Sequence, residues 1–131
     1  MNRITEVLKN VGVFYIATTD ANGDPHVRPF GAVAEFNGKT YICTNNTKKC
    51  YAEMLAHPRT EISGMAQDGT WIRLVADVVR DDNDEARAAM LEANPQIKNM
   101  YSIGDGIFEV LYLDNISCTK CSFTAAPEVI E

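Results

Sequence analysis

The pair Asn37-Gly38, set between two β-branched and aromatic runs, constrains this chain more than any other feature. Asn-Gly supplies the positive-φ residues of a two-residue type I′ turn, so the flanking runs must fold back on each other as neighbours. Residues 26–36 and 39–44 therefore read as hairpin strands, with Pro29 and Gly31 marking an irregular edge in the first of them. A second hairpin is expected over 59–66 and 70–80, joined through Gln67-Asp68-Gly69. Residues 13–19, apolar on both faces, read as a buried strand, and 107–113 and 116–124 as the last two. Ile4, Val7, Leu8 and Val11 follow one helix face until Gly12 ends it. Residues 47–56 form a second helix closed by Pro58, and the acidic run from Asp81 to Glu85 opens a third. Most strands are joined by tight turns, which excludes a parallel doubly wound sheet. The expected fold is mainly β (α+β): seven short strands with hairpin signals and three helices at the edges suggest a small antiparallel barrel. One domain over residues 1–124 is expected, followed by a loose tail at 125–131.

The net charge of −6 gives no basic footprint for nucleic acid. Charge is uneven: residues 1–65 carry seven basic and six acidic side chains, residues 66–131 five and twelve. A small anion is therefore expected to bind through the first half. No continuous apolar h-region or long apolar run is visible, so a cytoplasmic protein is expected, with neither membrane nor nucleic acid as a partner. Cys118-Thr119-Lys120-Cys121 has metal-knuckle spacing, but no second ligand pair accompanies it. On a strand those two side chains point to opposite faces. No metal site is expected, and whether the two thiols ever pair is left open.

Thr44-Asn45-Asn46-Thr47-Lys48-Lys49 lies between a strand end and a helix start. Helix N-termini favour anions, so two lysines there are an exception that a bound anion would reverse. Thr47 is a natural N-cap, and free amides beside hydroxyl and ammonium groups make a cradle for phosphate. The Asn37-Gly38 hairpin is expected to bring Arg28 towards Thr44 and the lysines, where its guanidinium can grip phosphate through two hydrogen bonds. Period-2 alternation places Ile72, Leu74, Ala76 and Val78 on one face of their strand and Trp71, Arg73, Val75 and Asp77 on the other. An aromatic–cation pair on that more polar face suits an interface or a flat anionic ligand.

Taken in order, these residues resemble the pyridoxamine 5′-phosphate oxidase-like family, the FMN-binding split barrels. The resemblance rests on Pro25-His26-Val27-Arg28-Pro29, Asn37-Gly38, Tyr41-Ile42-Cys43-Thr44-Asn45, and Lys48-Lys49 heading a helix that ends at His57-Pro58. Trp71-Ile72-Arg73, Asn94-Pro95 and Met100-Tyr101 extend it to about Phe123. It implies a six- to seven-stranded antiparallel split β-barrel with three peripheral helices, forming a homodimer with FMN in two clefts at the subunit interface. By position, Arg28, Thr47, Lys48 and Lys49 would hold the phosphate, and Thr44 and Asn45 would contact the flavin. Pro29 and Phe30 would flank the ring, and Trp71 and Arg73 would approach from the neighbouring subunit or line the dimer seam. Ala76 stands where the family often has Gly, which would tighten packing near the ring. Pyridoxamine phosphate oxidases proper add a basic, histidine-bearing C-terminal segment; residues 126–131 have no such group, so vitamin B6 oxidation is not expected. The resemblance is greater to short members such as the nitroimidazole-resistance proteins.

The function expected is that of a flavoprotein reductase acting on a small molecule, with a reduced nicotinamide, NAD(P)H, as possible donor. Two alternatives stand: a flavin-binding or sensing module without turnover, and a split barrel that has lost flavin and takes another ligand. His26 is the one candidate proton donor, against its plainer reading as a structural histidine beside a turn.

Overall fold

A computed structural model describes all 131 residues. Three α-helices, α1 (Arg3–Val11), α2 (Lys49–Ala56) and α3 (Asp84–Ala93), accompany eight strands. The strands are β1 (Phe14–Thr19), β2 (Pro25–Phe30), β3 (Ala34–Phe36), β4 (Lys39–Asn45), β5 (Arg59–Met65), β6 (Trp71–Arg80), β7 (Phe108–Cys121) and β8 (Glu128–Val129). Every pairing is antiparallel, in the order β2-β1-β5-β6-β7-β4-β3, with β8 added to β7. The sheet does not close on itself, and the chain is a mostly β split barrel, antiparallel as its hairpin signals predict and split as the resemblance implies.

Leu8, Phe14, Ile16, Ile42, Met54, Ile62, Leu74 and Leu111 are all fully buried in the main core. A second core packs α3 onto β3, β4 and β7 through Ala34, Tyr41, Ala86, Met90 and Val110. Helix α1 closes the main core, and Gly12 ends it at φ 82°. Where α1 meets β5 the approach is so close that a Cβ on Gly64 would lie 2.3 Å from Val11 Cγ1. No helix is long and apolar enough to cross a membrane.

Four expectations are corrected. Residues 26–36 are not one strand: β2 pairs with β1, and only the three-residue β3 uses the Asn37-Gly38 turn to pair with β4. Pro29 pairs with Tyr15 inside β2 and the break falls after it, at residues 31–33, so Arg28 does not reach Thr44 through the hairpin register. Residues 107–124 are not two strands but the single β7. Asn115, at φ 48°, sits in a bulge between the Val75–Ser117 and Asp77–Asp114 pairs. Asn tolerates that left-handed conformation, and the extra residue bends the strand without ending it. Strand β1 is not buried on both faces, because Tyr15 is half exposed. The tail is not loose: β8 pairs with β7, and Cys118 exchanges hydrogen bonds with Ile130 and Glu131.

Candidate functional site

Edge strand β2, the end of β4, the start of α2 and the turn after α3 converge on a cavity of about 310 Å3. Its cationic end carries Arg28, Lys48 and the Thr44 hydroxyl, and its apolar wall carries Phe30, Ile97, Met100 and Tyr101. Arg28 arrives by tertiary packing. It faces the interior beside Ile16, its cross-strand partner. Nη1 donates to Thr18 Oγ1 at 2.6 Å, to the His26 carbonyl at 3.1 Å and to the Ile16 carbonyl at 3.3 Å. Nη2 lies 3.4 Å from Glu53 Oε1 on α2. The same Glu53 oxygen accepts from Thr18 Oγ1 at 2.6 Å. That hydroxyl first, and the Arg28 guanidinium after it, hold the Glu53 carboxyl below the usual range. A guanidinium has five N–H donors, so Nε–H and one Nη2–H of Arg28 remain free for a ligand.

The start of α2 differs from expectation. Thr47 is not the N-cap: Asn45 Oδ1 captures both its backbone N–H at 2.8 Å and its hydroxyl at 2.7 Å, an Asx turn that spends the side chain inside the loop. Lys48 takes the cap position instead, and no side chain caps the helix. The first-turn amides of α2 are consequently left without side-chain acceptors beside the cavity, where an anion would satisfy them.

Arg28, Pro29, Phe30, Thr44 and Lys48 thus come together as lining residues. Asn45 and Thr47 shape the loop without lining the cavity, and Lys49 is exposed outside it. Trp71 and Arg73 lie elsewhere in the same chain. Trp71 packs on Phe123, with ring centroids 4.7 Å apart, and Arg73 pairs with Glu61 at 2.9 Å. His26 also lies outside, its Nε2 2.8 Å from Asp20 Oδ2. The hydrogen bond to that imidazole holds Asp20 below the usual carboxylate range. Ala76 is fully buried in the main core and does not line the cavity.

Sequence reasoning assigned no role to Cys50 or Gln96 in the wall, nor to Thr18 and Glu53 behind Arg28. Tyr101 entered only through the family pattern. Its ring stacks on Phe108 at 4.9 Å, and burial raises its phenol above the ordinary tyrosine value. Burial likewise pushes the Cys43 thiol up to about 12, so it stays protonated at neutral pH. Asn94-Pro95 was the signal that could have placed the wall. Asn94 Nδ2 donates to the Val33 carbonyl at 3.0 Å, and Pro95 opens the short 3₁₀ turn that presents Ile97.

The family model for pyridoxamine 5′-phosphate oxidase matches residues 2–111. No curated protein matches the sequence. A NimC/NimA family protein from Clostridium acetobutylicum is 52% identical, aligned over 97% of this chain and 88% of its own, with a TM-score of 0.93. A heme-binding protein from Mycobacterium smegmatis shares the fold at 21% identity and a TM-score of 0.75, over 94% of this chain and 54% of its own. ChuZ from Campylobacter jejuni does so at 14% and 0.77, over 98% and 57%. The chain spans little more than half of these last two, and the likeness to them is one of fold alone. With the family match over most of its length and a relative more than half identical, the chain belongs to the pyridoxamine 5′-phosphate oxidase-like family of split barrels.

Proposed function

We propose that the protein binds FMN in the Arg28–Thr44–Lys48 cavity and works as a homodimeric flavin-dependent oxidoreductase on a small molecule. The observation that carries this reading is one cavity joining a cationic end to an apolar wall. The residues fit the group at both ends. Arg28 Nε and Nη2, the Lys48 ammonium and the uncapped amides of α2 would take the phosphate, with Lys49 adding charge at longer range. Phe30, Pro29 and the Ile97–Tyr101 wall would lie along the flat ring. FMN supplies the hydride and electron chemistry when bound, with a reduced nicotinamide as the proposed donor. The chain's part is to bind, orient and exclude water. With His26 turned to Asp20, the Tyr101 hydroxyl, kept protonated by burial, is the proton donor that the cavity itself offers.

A volume of about 310 Å3 is at the lower end for ligand pockets, roughly 300–1,000 Å3, so a second surface should complete the site. The outward face of β2-β1-β5-β6 supplies a candidate seam. Val27, Tyr15 and Met65 are exposed there, Trp71 lies beside them, and Arg73–Glu61 adds a polar pair. Soluble monomers rarely leave such a face open. Pro29 opposes Tyr15 on this face and also lines the cavity, so a second copy docked here would reach the cavity mouth with its own Trp71 or Arg73.

The test is an FMN titration followed by flavin fluorescence and visible absorbance, with riboflavin in parallel. Tight FMN and weak riboflavin binding are expected, and a spectrum unchanged by FMN overturns the reading. Reduced-nicotinamide oxidation with an added acceptor then separates an enzyme from a flavin-binding module, which would show none. Sedimentation at micromolar concentration should give a dimer.

A further inference from the structure

The loop that ends at Lys48 is held from outside the cavity by a carboxylate with no part in the proposed chemistry. Glu109 on β7 is 5% exposed, and donors from three elements meet on it. Arg80 Nε donates at 2.9 Å, Arg87 Nη2 at 3.3 Å and Asn46 Nδ2 at 3.0 Å. Burial alone would raise this carboxyl, but the hydrogen bonds and the two guanidinium charges outweigh it and hold the group below the usual range. Arg87 is itself fixed by Asp82, Asp84 and the Phe108 carbonyl. The anchor is therefore rigid.

Asn46 joins that anchor to the cavity loop. Its backbone N–H donates to the Ile107 carbonyl at 3.0 Å, and Nδ2 reaches the Gly106 carbonyl at 2.9 Å as well as Glu109. Beyond it the loop closes on itself: Asn45 holds Thr47 through its side chain and Lys48 through its carbonyl. Removing the Asn46 side chain leaves only the backbone bond to Ile107 to hold the loop beyond the Asn45–Phe108 pair, so the loop loosens. Its ordering would then be charged against ligand binding.

We propose that Asn46 is a positioning residue for the anion cradle, fixing Lys48 and the first turn of α2, with Glu109 as its anchor. This rests on the FMN reading for the identity of the anion, and on the hydrogen bonds alone for the mooring. Asn46→Ala and Asn46→Leu in the full chain test it. Leu keeps the branched shape of Asn, adds no charge beside Glu109 and cannot donate. Hydrogen exchange in the ligand-free protein is expected to rise about tenfold over residues 45–51 in both variants, with β6 and β7 unchanged. The FMN Kd is expected to rise about tenfold, the scale of one lost hydrogen bond to a charged group, while the riboflavin Kd shifts less than twofold. Unchanged exchange over 45–51, or equal loss of FMN and riboflavin, overturns the assignment. So does a Leu variant that behaves as wild type. If wild-type protein ignores FMN, the cofactor reading falls by itself. Exchange then judges the mooring, together with the protection that inorganic phosphate gives residues 48–51 in wild type and should fail to give in Asn46→Ala.

Discussion

Replacing Arg28 by alanine separates phosphate recognition from ring recognition. In the folded chain Nη1 is fully engaged by Thr18, His26 and Ile16, and Nη2 is half engaged by Glu53. Nε–H and the second Nη2–H are left over, and a guanidinium grips an oxyanion through such pairs of hydrogen bonds. A hydrogen bond to a charged partner contributes about 1.5–3 kcal/mol, so losing this grip should weaken FMN about 10- to 150-fold. Arg28→Ala also leaves Glu53, 12% exposed at its side chain, facing the phosphate with only Thr18 to hold it. The double variant Arg28→Ala/Glu53→Gln should therefore recover part of the loss, because one repelling charge is gone. Fluorescence titration with FMN and riboflavin reads all of this. Riboflavin lacks the phosphate and should change less than threefold in either variant. Equal losses for the two ligands would refute the phosphate assignment, and no loss at all would remove Arg28 from the site.

Gly64→Ala should lower the melting temperature. Its Cβ would meet Val11 Cγ1 at 2.3 Å, and also the Val13 carbonyl oxygen at 3.2 Å and Phe14 Cα at 3.3 Å, backbone atoms that cannot turn aside. Overpacking of this kind costs about 1–3 kcal/mol, or roughly 3–12 °C by calorimetry at this length. Adding Val11→Ala should return part of it. Glu109 makes stability fall in acid. Its folded pKa lies below the ordinary 4.5, so its contribution is present above the unfolded value and lost as pH falls through the folded one. Melting temperature should decline below about pH 4.5, less steeply in Glu109→Gln, and parallel curves would refute this. Trp71→Ala should shift sedimentation towards monomer, since its ring is the largest in the proposed seam. An unchanged dimer would move the seam elsewhere.

Turns and alternation in the sequence determined the local structure of this chain. Asn37-Gly38 and Gly69 set hairpins, Gly12 ended α1, and the period of β6 placed Ile72, Leu74, Ala76 and Val78 inside. Those signals work because they depend on φ and on side-chain period, properties of a few adjacent residues. Lys48-Lys49 at a helix start likewise pointed to the proposed anion cradle on local chemistry alone, but that Thr47 leaves the cap unfilled took the folded loop to show. Only the folded chain decided which strands neighbour which. The run over 26–36 splits between two sheet edges at its local break, whereas Phe108–Cys121 stays one strand through an asparagine bulge, because partners on β4 and β6 far away in sequence hold both halves. The cavity belongs to the same class of fact. Arg28 meets α2 through Glu53, and Tyr101 shares a cluster with Cys43 beside α3, contacts across 25 residues and more that no spacing rule encodes. Burial and convergent hydrogen bonding are collective properties. They exist only after the sheet has curled and the helices have docked, and they turn a scatter of polar residues into a site.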